Sequence, residues 1–331
     1  MDRFIRRLSA ALLACAPLCA PLCAPFYAFG QGAQAFPAKP VRIIVPNPPG
    51  GAMDILGRLY ASQLQPLWGQ PVVVEYKPGA NTVVGTEFVA RSAPDGYTIG
   101  VVATGHVINP ALRKLPYDTL KDLAGVALIG TSPVLISATP GLPVTSVAEA
   151  IELARRPGSR LSYATPGAGS AMHLAGELLK LLTKVDIQHI PFKGSGPSYP
   201  EVMAGRVELL IDPLFSSMPY VKSGKFRALA VTSPQRIASV PEIPALAEYL
   251  PGFSVESLNG LVAPGQTPRT VVNRLNADVV RILQAPEVKA KMAEFGIIPV
   301  GGPPEQFDAL VKTEIEKWQK VVTAANVTVD N

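Results

Sequence analysis

Beyond residue 23 the chain has no cysteine; the three it contains are Cys15, Cys19 and Cys23. That excludes a disulfide, a thiolate metal site and a cysteine nucleophile from everything after the N-terminal segment. Histidine is scarce, and His106, His173 and His189 have no metal-ligand spacing. There is no Gly-x-Ser-x-Gly elbow. Gly167-Ala168-Gly169 lacks the third glycine of a dinucleotide fingerprint, with Met172 in its place, and no P-loop lysine follows. These gaps argue against an enzyme, a metal site and a cofactor. Lysine and arginine form no stripe of the kind that binds nucleic acid. After residue 35 no apolar run is long enough for a membrane helix.

What is present starts with an export signal. Arg3, Arg6 and Arg7 precede an apolar stretch from Leu8 to Pro25, and Ala33-Gln34-Ala35 fits a small-x-small cleavage site before Phe36. A membrane anchor is the competing reading, against which Pro17, Pro21 and Pro25 interrupt the run. Leu12-Leu13-Ala14-Cys15 loosely matches an acylation site, so lipidation of Cys15 stays open. Cleavage after Ala35 removes three arginines and Asp2, lowering the net charge from +5 to +3. A mildly basic soluble protein suits anionic ligands. Hydrophobic residues make up 48%, and the 34 prolines and 28 glycines are spread along the chain. In 331 residues this implies about two domains with many short connections.

The stretch Val41–Arg58 organises the rest. Val41, Ile43, Ile44 and Val45 read as a buried strand. Pro46, Pro48 and Pro49 end it, and Gly50 and Gly51 free the backbone to turn. A helical pattern follows through Leu56, Leu59, Tyr60, Gln63, Leu64 and Leu67. Such a turn gathers free amides at the positive end of a helix dipole and binds anions without arginine or lysine. Two later turns repeat it. Leu161–Ala164 leads into Thr165-Pro166-Gly167-Ala168-Gly169-Ser170 and a helix with Ala171, Leu174, Ala175, Leu178, Leu179 and Leu182 on one face. Ile187–Pro191 leads into Phe192-Lys193-Gly194-Ser195-Gly196, with Pro197 suited to a first helical position. Further strands are expected at Val72–Val74, Tyr97–Ala103, Val126–Ile129, Val134–Ala138, Val207–Ile211, Phe226–Thr232 and Ser257–Ala263. Helices are expected after Ser146 and Thr267, over Pro286–Phe295 and over Pro304–Thr323.

This alternation predicts an α/β fold of doubly wound parallel sheets. Chain crossings near residues 130 and 256 would divide it into a discontinuous domain (36–130 with 256–331) and a continuous one (131–255). The three turns would then face a cleft at the carboxyl ends of the strands.

Pro48-Pro49-Gly50-Gly51-Ala52-Met53-Asp54 resembles the signature loop of the tripartite tricarboxylate transporter substrate-binding family, also called Bug proteins. Ala93-Pro94-Asp95-Gly96-Tyr97-Thr98, Leu115-Pro116-Tyr117-Asp118, Gly169–Glu177 and Lys225–Ser233 resemble it too, in the same order, over residues 36–327. The resemblance implies a periplasmic binding protein of type II, with two α/β domains joined by a two-crossing hinge. It implies capture of a small carboxylate (a di- or tricarboxylate, an amino acid or an aromatic acid) by a monomer. The partners would be the membrane subunits of a tripartite transporter or a sensor kinase. Loop amides, hydroxyls and water would hold the carboxylate. Asn47 and Asn259 depart from the family pattern, which often has large apolar or aromatic residues there.

The ligand-binding candidates are Gly50, Gly51, Ala52, Met53, Asp54, Gly169, Ser170, Ala171, Ser195, Asp212, Thr104 and His106. Asp54 either bonds back to the loop amides or meets the ammonium of an amino-acid ligand, or it simply complements the dipole of its helix. Ser170 is a ligand donor, a helix cap, or both. Asp212, at a strand end, either receives a ligand group or caps the next helix. His106 and Thr104 are placed beside the cleft; His173 reads as structural, and Lys193 as a source of charge attraction or a solvated loop residue. A serine hydrolase using Ser170 or Ser195 is the alternative enzyme reading.

Overall fold

The structure is a computed structural model in which residues 36–49 and 52–329 are described. The expectations for the leader and for Gly50 and Gly51 lie outside these residues. The first half alternates strictly: β1 (Val41–Val45), α1 (Ala52–Trp68), β2 (Val72–Tyr76), α2 (Val83–Ala90), β3 (Thr98–Ala103) and α3 (Gly105–Leu112). A long strand, β4 (Leu123–Ala138), follows. After it come α4 (Val147–Arg155), β5 (Ser162–Thr165), α5 (Ala171–Thr183), β6 (Gln188–Pro191), α6 (Ser195–Met203), β7 (Leu209–Pro213), α7 (Leu214–Lys222) and β8 (Arg227–Val231). The chain returns through β9 (Glu256–Pro264), α8 (Arg269–Leu283), α9 (Pro286–Glu294), β10 (Ile298–Pro299) and α10 (Pro304–Ala324).

Local sequence explains most of these elements. Val41, Ile43, Ile44 and Val45 are fully buried, as a continuous apolar run predicts for a strand covered on both faces. In α1, Leu56, Tyr60 and Leu64 are fully buried at i, i+4 and i+8, while Leu59, Gln63 and Leu67 sit at the margin. One apolar layer joins β1 and β3 to α1, α8 and α9. Another, containing the fully buried Trp318 of α10, packs α3, α5 and α10 against the strands.

The sheet runs β2-β1-β3-β9-β4-β7-β5-β6, with β8 and β10 also paired to β4. β2, β1 and β3 are mutually parallel, as are β6, β5 and β7. β9 lies antiparallel to both β3 and β4, and β4 antiparallel to β7. β4 corrects one expectation. The sequence predicts two strands broken at residues 130–133, but the chain stays extended there. Thr131, Ser132 and Pro133 pair with Leu258, Ser257 and Glu256 of β9. From Val134 onward the strand takes β7 and β8 as partners instead. The polar-proline punctuation marks a change of partner, not a turn, because a proline costs an antiparallel strand only one ladder donor. The helix α3, with Pro110 inside it, is an element that the sequence reading does not include.

This register sets the geometry of the site. Ala103, at the carboxyl end of β3, stands opposite Asn259, which stands opposite Gly130. Pro213, at the carboxyl end of β7, stands opposite Val134. The parallel strands of both halves therefore end over the middle of one strand, four residues apart, or about 13 Å.

Candidate functional site

A cavity of about 340 Å³ lies over that middle segment of β4. Ser132 of β4 and Ser257, Leu258 and Asn259 of β9 contribute to its lining from the sheet. Its other walls come from the starts of helices: Met53 in α1; Asn81 and Thr82 before α2; Thr104 and Gly105 at α3; Ser170, Ala171 and Met172 at α5; Pro213 and Phe215 at α7. Asn47, Ile108 and Phe295 help to complete it. Among the described residues no lysine, arginine, histidine, aspartate or glutamate lines it.

Five helix N-termini thus face one neutral cavity. Each carries amides without an intrahelical acceptor and about half a positive charge, worth roughly 0.3–1 kcal/mol to a nearby anion. The side-chain hydroxyls of Ser132 and Ser257 and the amides of Asn47 and Asn259 make no intramolecular hydrogen bond among the described residues and stay available. The cavity can therefore stabilise an anion by backbone dipoles and neutral donors. Among its described lining residues no carboxylate is present to pair with an ammonium group. A larger depression of about 620 Å³ lies elsewhere, over Arg113–Leu120, Asp122 and Gln319.

The α5 corner is built in detail. Ser170 caps the helix: its hydroxyl accepts the His173 amide at 3.2 Å and donates to the Gly167 carbonyl at 2.7 Å. Gly169 turns at φ +71°, and its amide donates to His173 Nδ1 at 3.0 Å. Ala171 and Met172 follow with their amides free of internal partners among the described residues. At α3, Thr104 Oγ1 accepts the Leu258 amide at 3.0 Å, tying the β3 corner to β9.

The sequence candidates divide. Met53, Thr104, Gly169, Ser170 and Ala171 share the cavity, and Ala52 opens α1 just before Met53. Asp54, Ser195, Asp212 and His106 do not line it. Asp54 is fully buried; it accepts from Arg58 Nη2 at 2.5 Å and from the Tyr76 hydroxyl at 2.7 Å. Asp212 is also fully buried, and its carboxylate accepts Ser195 Oγ at 2.6 Å, the Tyr199 hydroxyl at 2.8 Å and Ser217 Oγ at 2.9 Å. Burial raises the Asp212 pKa, opposed by these three donors. This carboxylate fastens α6 and α7 to the end of β7, while Ser195 spends its hydroxyl on it. His106 is 4% exposed and faces a separate cavity of about 290 Å³ beside Arg269 and Asp308. Burial pushes its pKa down to about 4, so it is neutral at pH 7.

Sequence reasoning missed Asn81, Thr82, Ser132, Ser257, Phe215 and Phe295. A signal existed for the first two only in part. Lys77–Asn81 reads as a turn, but Ala80, Asn81 and Thr82 run consecutively at φ 45°, 51° and 77°. Three non-glycine residues in the left-handed region are held in place by reciprocal bonds: Asn81 Nδ2 to Asn109 Oδ1 at 3.2 Å and Asn109 Nδ2 to the Asn81 carbonyl at 2.9 Å. The two serines come together only through the β4–β9 register, which no local pattern encodes.

Comparison with known proteins agrees with this architecture. A family model described as the tripartite tricarboxylate transporter family receptor matches residues 56–327. Protein BugT of Bordetella pertussis is 34% identical over 297 residues, covering 88% of this chain and 90% of its own. A solved structure of R. palustris Rpa4515 with adipate is 36% identical, with a TM-score of 0.74 over 88% of this chain and 99% of the other. MatC (Rpa3494) from Rhodopseudomonas palustris with bound malate is 34% identical, with a TM-score of 0.69 over 87% of this chain and all (100%) of the other. With a model match spanning nearly all of the described chain, and relatives alike from end to end, this protein belongs to the tripartite tricarboxylate transporter receptor family.

Proposed function

We propose that the chain is an extracytoplasmic solute-binding protein that captures a small carboxylate in the cavity over β4. One observation carries the reading: five helix N-termini meet there with no ionisable side chain among the described lining. Structures of relatives with adipate and with malate support a carboxylate as the ligand. The absence of an acidic residue among the described lining favours acids without an ammonium over amino acids. Export by the leader, with cleavage near Ala35, would place the mature protein in the periplasm. Residues 36–130 with 256–331, and 131–255, would act as two lobes that share β4 and close over the ligand. Membrane subunits of a tripartite transporter would read the closed form; a sensor kinase would use the same cleft and dock outside it. A hydrolase fits less well, because the Ser170 hydroxyl donates to the Gly167 carbonyl and the Ser195 hydroxyl to Asp212.

The test is a thermal-shift and calorimetric panel of adipate, malate, citrate, benzoate and glutamate at neutral pH. Stabilisation by a dicarboxylate or aromatic acid, with glutamate weaker and no turnover, is the expected result. A ligand at a hundredfold excess over its Kd adds about 2.7 kcal/mol. Product formation from an ester, or no stabilisation by any acid, overturns the reading.

A further inference from the structure

The β5–α5 turn rests on a stack of rings that do not line the cavity. His173, in the first turn of α5, stacks on His189 of β6 with centroids 3.8 Å apart and planes 11° apart. Tyr163 of β5 also stacks on His189, at 4.9 Å. His189 Nε2 lies 2.7 Å from Thr165 Oγ1, and that hydroxyl lies 3.3 Å from the Gly167 carbonyl. His173 Nδ1 accepts the Gly169 amide at 3.0 Å. Both ends of the turn are thus fastened to imidazoles.

We propose that His173 is a positioning residue of the cavity: as the neutral Nε2–H tautomer it holds the Gly169 amide, and with it Ser170, Ala171 and Met172, and a proton added at Nδ1 releases the turn. The chemistry is a matter of donor count. Nδ1 accepts an N–H only while it carries a lone pair, and an imidazolium has N–H groups at both nitrogens. A protonated ring would set Nδ1–H against Gly169 N–H, two donors with no acceptor between them.

The groups around the ring set the direction of its titration. Burial is the largest influence and lowers the His173 pKa. On its own helix, Glu177 Oε1 stands 3.8 Å from Nε2 and favours the proton, while Lys180, bonded to the same oxygen at 3.0 Å, opposes it. From β5, Tyr163 reaches the ring's surroundings through Glu177, to which its hydroxyl donates at 2.6 Å. From β6, His189 is itself pushed down to about 3 and stays neutral across this range. Leu112 of α3 and Val329 approach Gly169 with apolar atoms, and α10 meets α5 within the apolar layer. The latch is therefore closed at neutral pH and opens on acidification below the ordinary imidazole value near 6.5.

The latch belongs to the cavity proposed above as the ligand site, but its state is read without ligand. In the 15N-labelled protein the His173 ring nitrogens and the Gly169 amide are followed from about pH 8 to about pH 4. The expected result is an unprotonated Nδ1 at neutral pH and a Gly169 shift with the midpoint of the ring. His173→Asn places a non-titrating oxygen near the position of Nδ1, so Gly169 should lose its pH response and keep its slow amide exchange. His173→Leu removes the acceptor, so Gly169 exchange should quicken about fivefold at neutral pH, a difference that closes as the wild-type ring takes up its proton. Any of four results overturns the proposal: an Nδ1–H tautomer at neutral pH, a ring that titrates while Gly169 stays still, unchanged exchange in His173→Leu, or global unfolding before Gly169 responds. Adipate affinity should follow the same midpoint; if adipate fails to bind, the carboxylate reading suffers and the Gly169 readout still decides the latch.

Discussion

The turns after β5 and β6 look alike in sequence and do different work. Each follows a short strand, carries a glycine at positive φ (Gly169 at 71°, Gly194 at 100°) and places a serine beside a helix start. They touch, since the Gly194 amide donates to the Pro166 carbonyl at 2.8 Å. Yet the first lines the cavity, while Ser195 of the second is bound to buried Asp212. Strand order separates them. β5 lies next to β7, which pairs with β4, whereas β6 is the outer strand, three positions from β4. At about 4.8 Å per strand its end stands roughly 14 Å to the side of the site floor. A glycine-rich turn before a helix is an anion cradle only where the sheet brings it to a shared end.

Substitutions test this contrast. The largest effect belongs to the support beneath the second turn. Asp212→Ala removes a buried carboxylate and strands three hydroxyls, and should cost about 3 kcal/mol or more in urea unfolding. Asp212→Asn, which keeps two acceptor or donor positions, should cost clearly less. Next come the two glycines. An alanine Cβ at Gly169 would meet Val329 Cγ1 at 2.9 Å and Leu112 Cδ1 at 3.0 Å, so Gly169→Ala should weaken both stability and ligand affinity. At Gly194 nothing lies within 4 Å of the added atom, so Gly194→Ala should cost about 1–2 kcal/mol of backbone strain and leave affinity unchanged. Equal affinity losses at the two sites would mean that both turns serve the ligand alike. The smallest effects belong to the serines: Ser170→Ala should lose a cap worth about 1 kcal/mol and lower affinity, while Ser195→Ala should lose a similar amount of stability alone.

Much of the frame was legible in the residues. Apolar runs located β1 and β9, and helical spacing located α1, α5, α8 and α10, because burial on one face leaves a period in the sequence. Ser170 was readable as a cap for the same local reason. What escaped was non-local. Thr131-Ser132-Pro133 resembles a turn until β9 is seen alongside it. Ser257 and Asn259 gain their place from register, and the three hydroxyls that Asp212 accepts come from two helices whose packing no local pattern encodes. The Asp54 carboxylate meets Arg58 one helical turn on and Tyr76 at the end of β2, and only the second partner is non-local.

A binding chamber walled by peptide dipoles also has a calorimetric signature. With no ionisable side chain in its described lining, an arriving acid displaces no proton from the wall and draws none in. The heat of capture near neutrality should then be the same in phosphate and in Tris, buffers whose ionisation enthalpies differ widely.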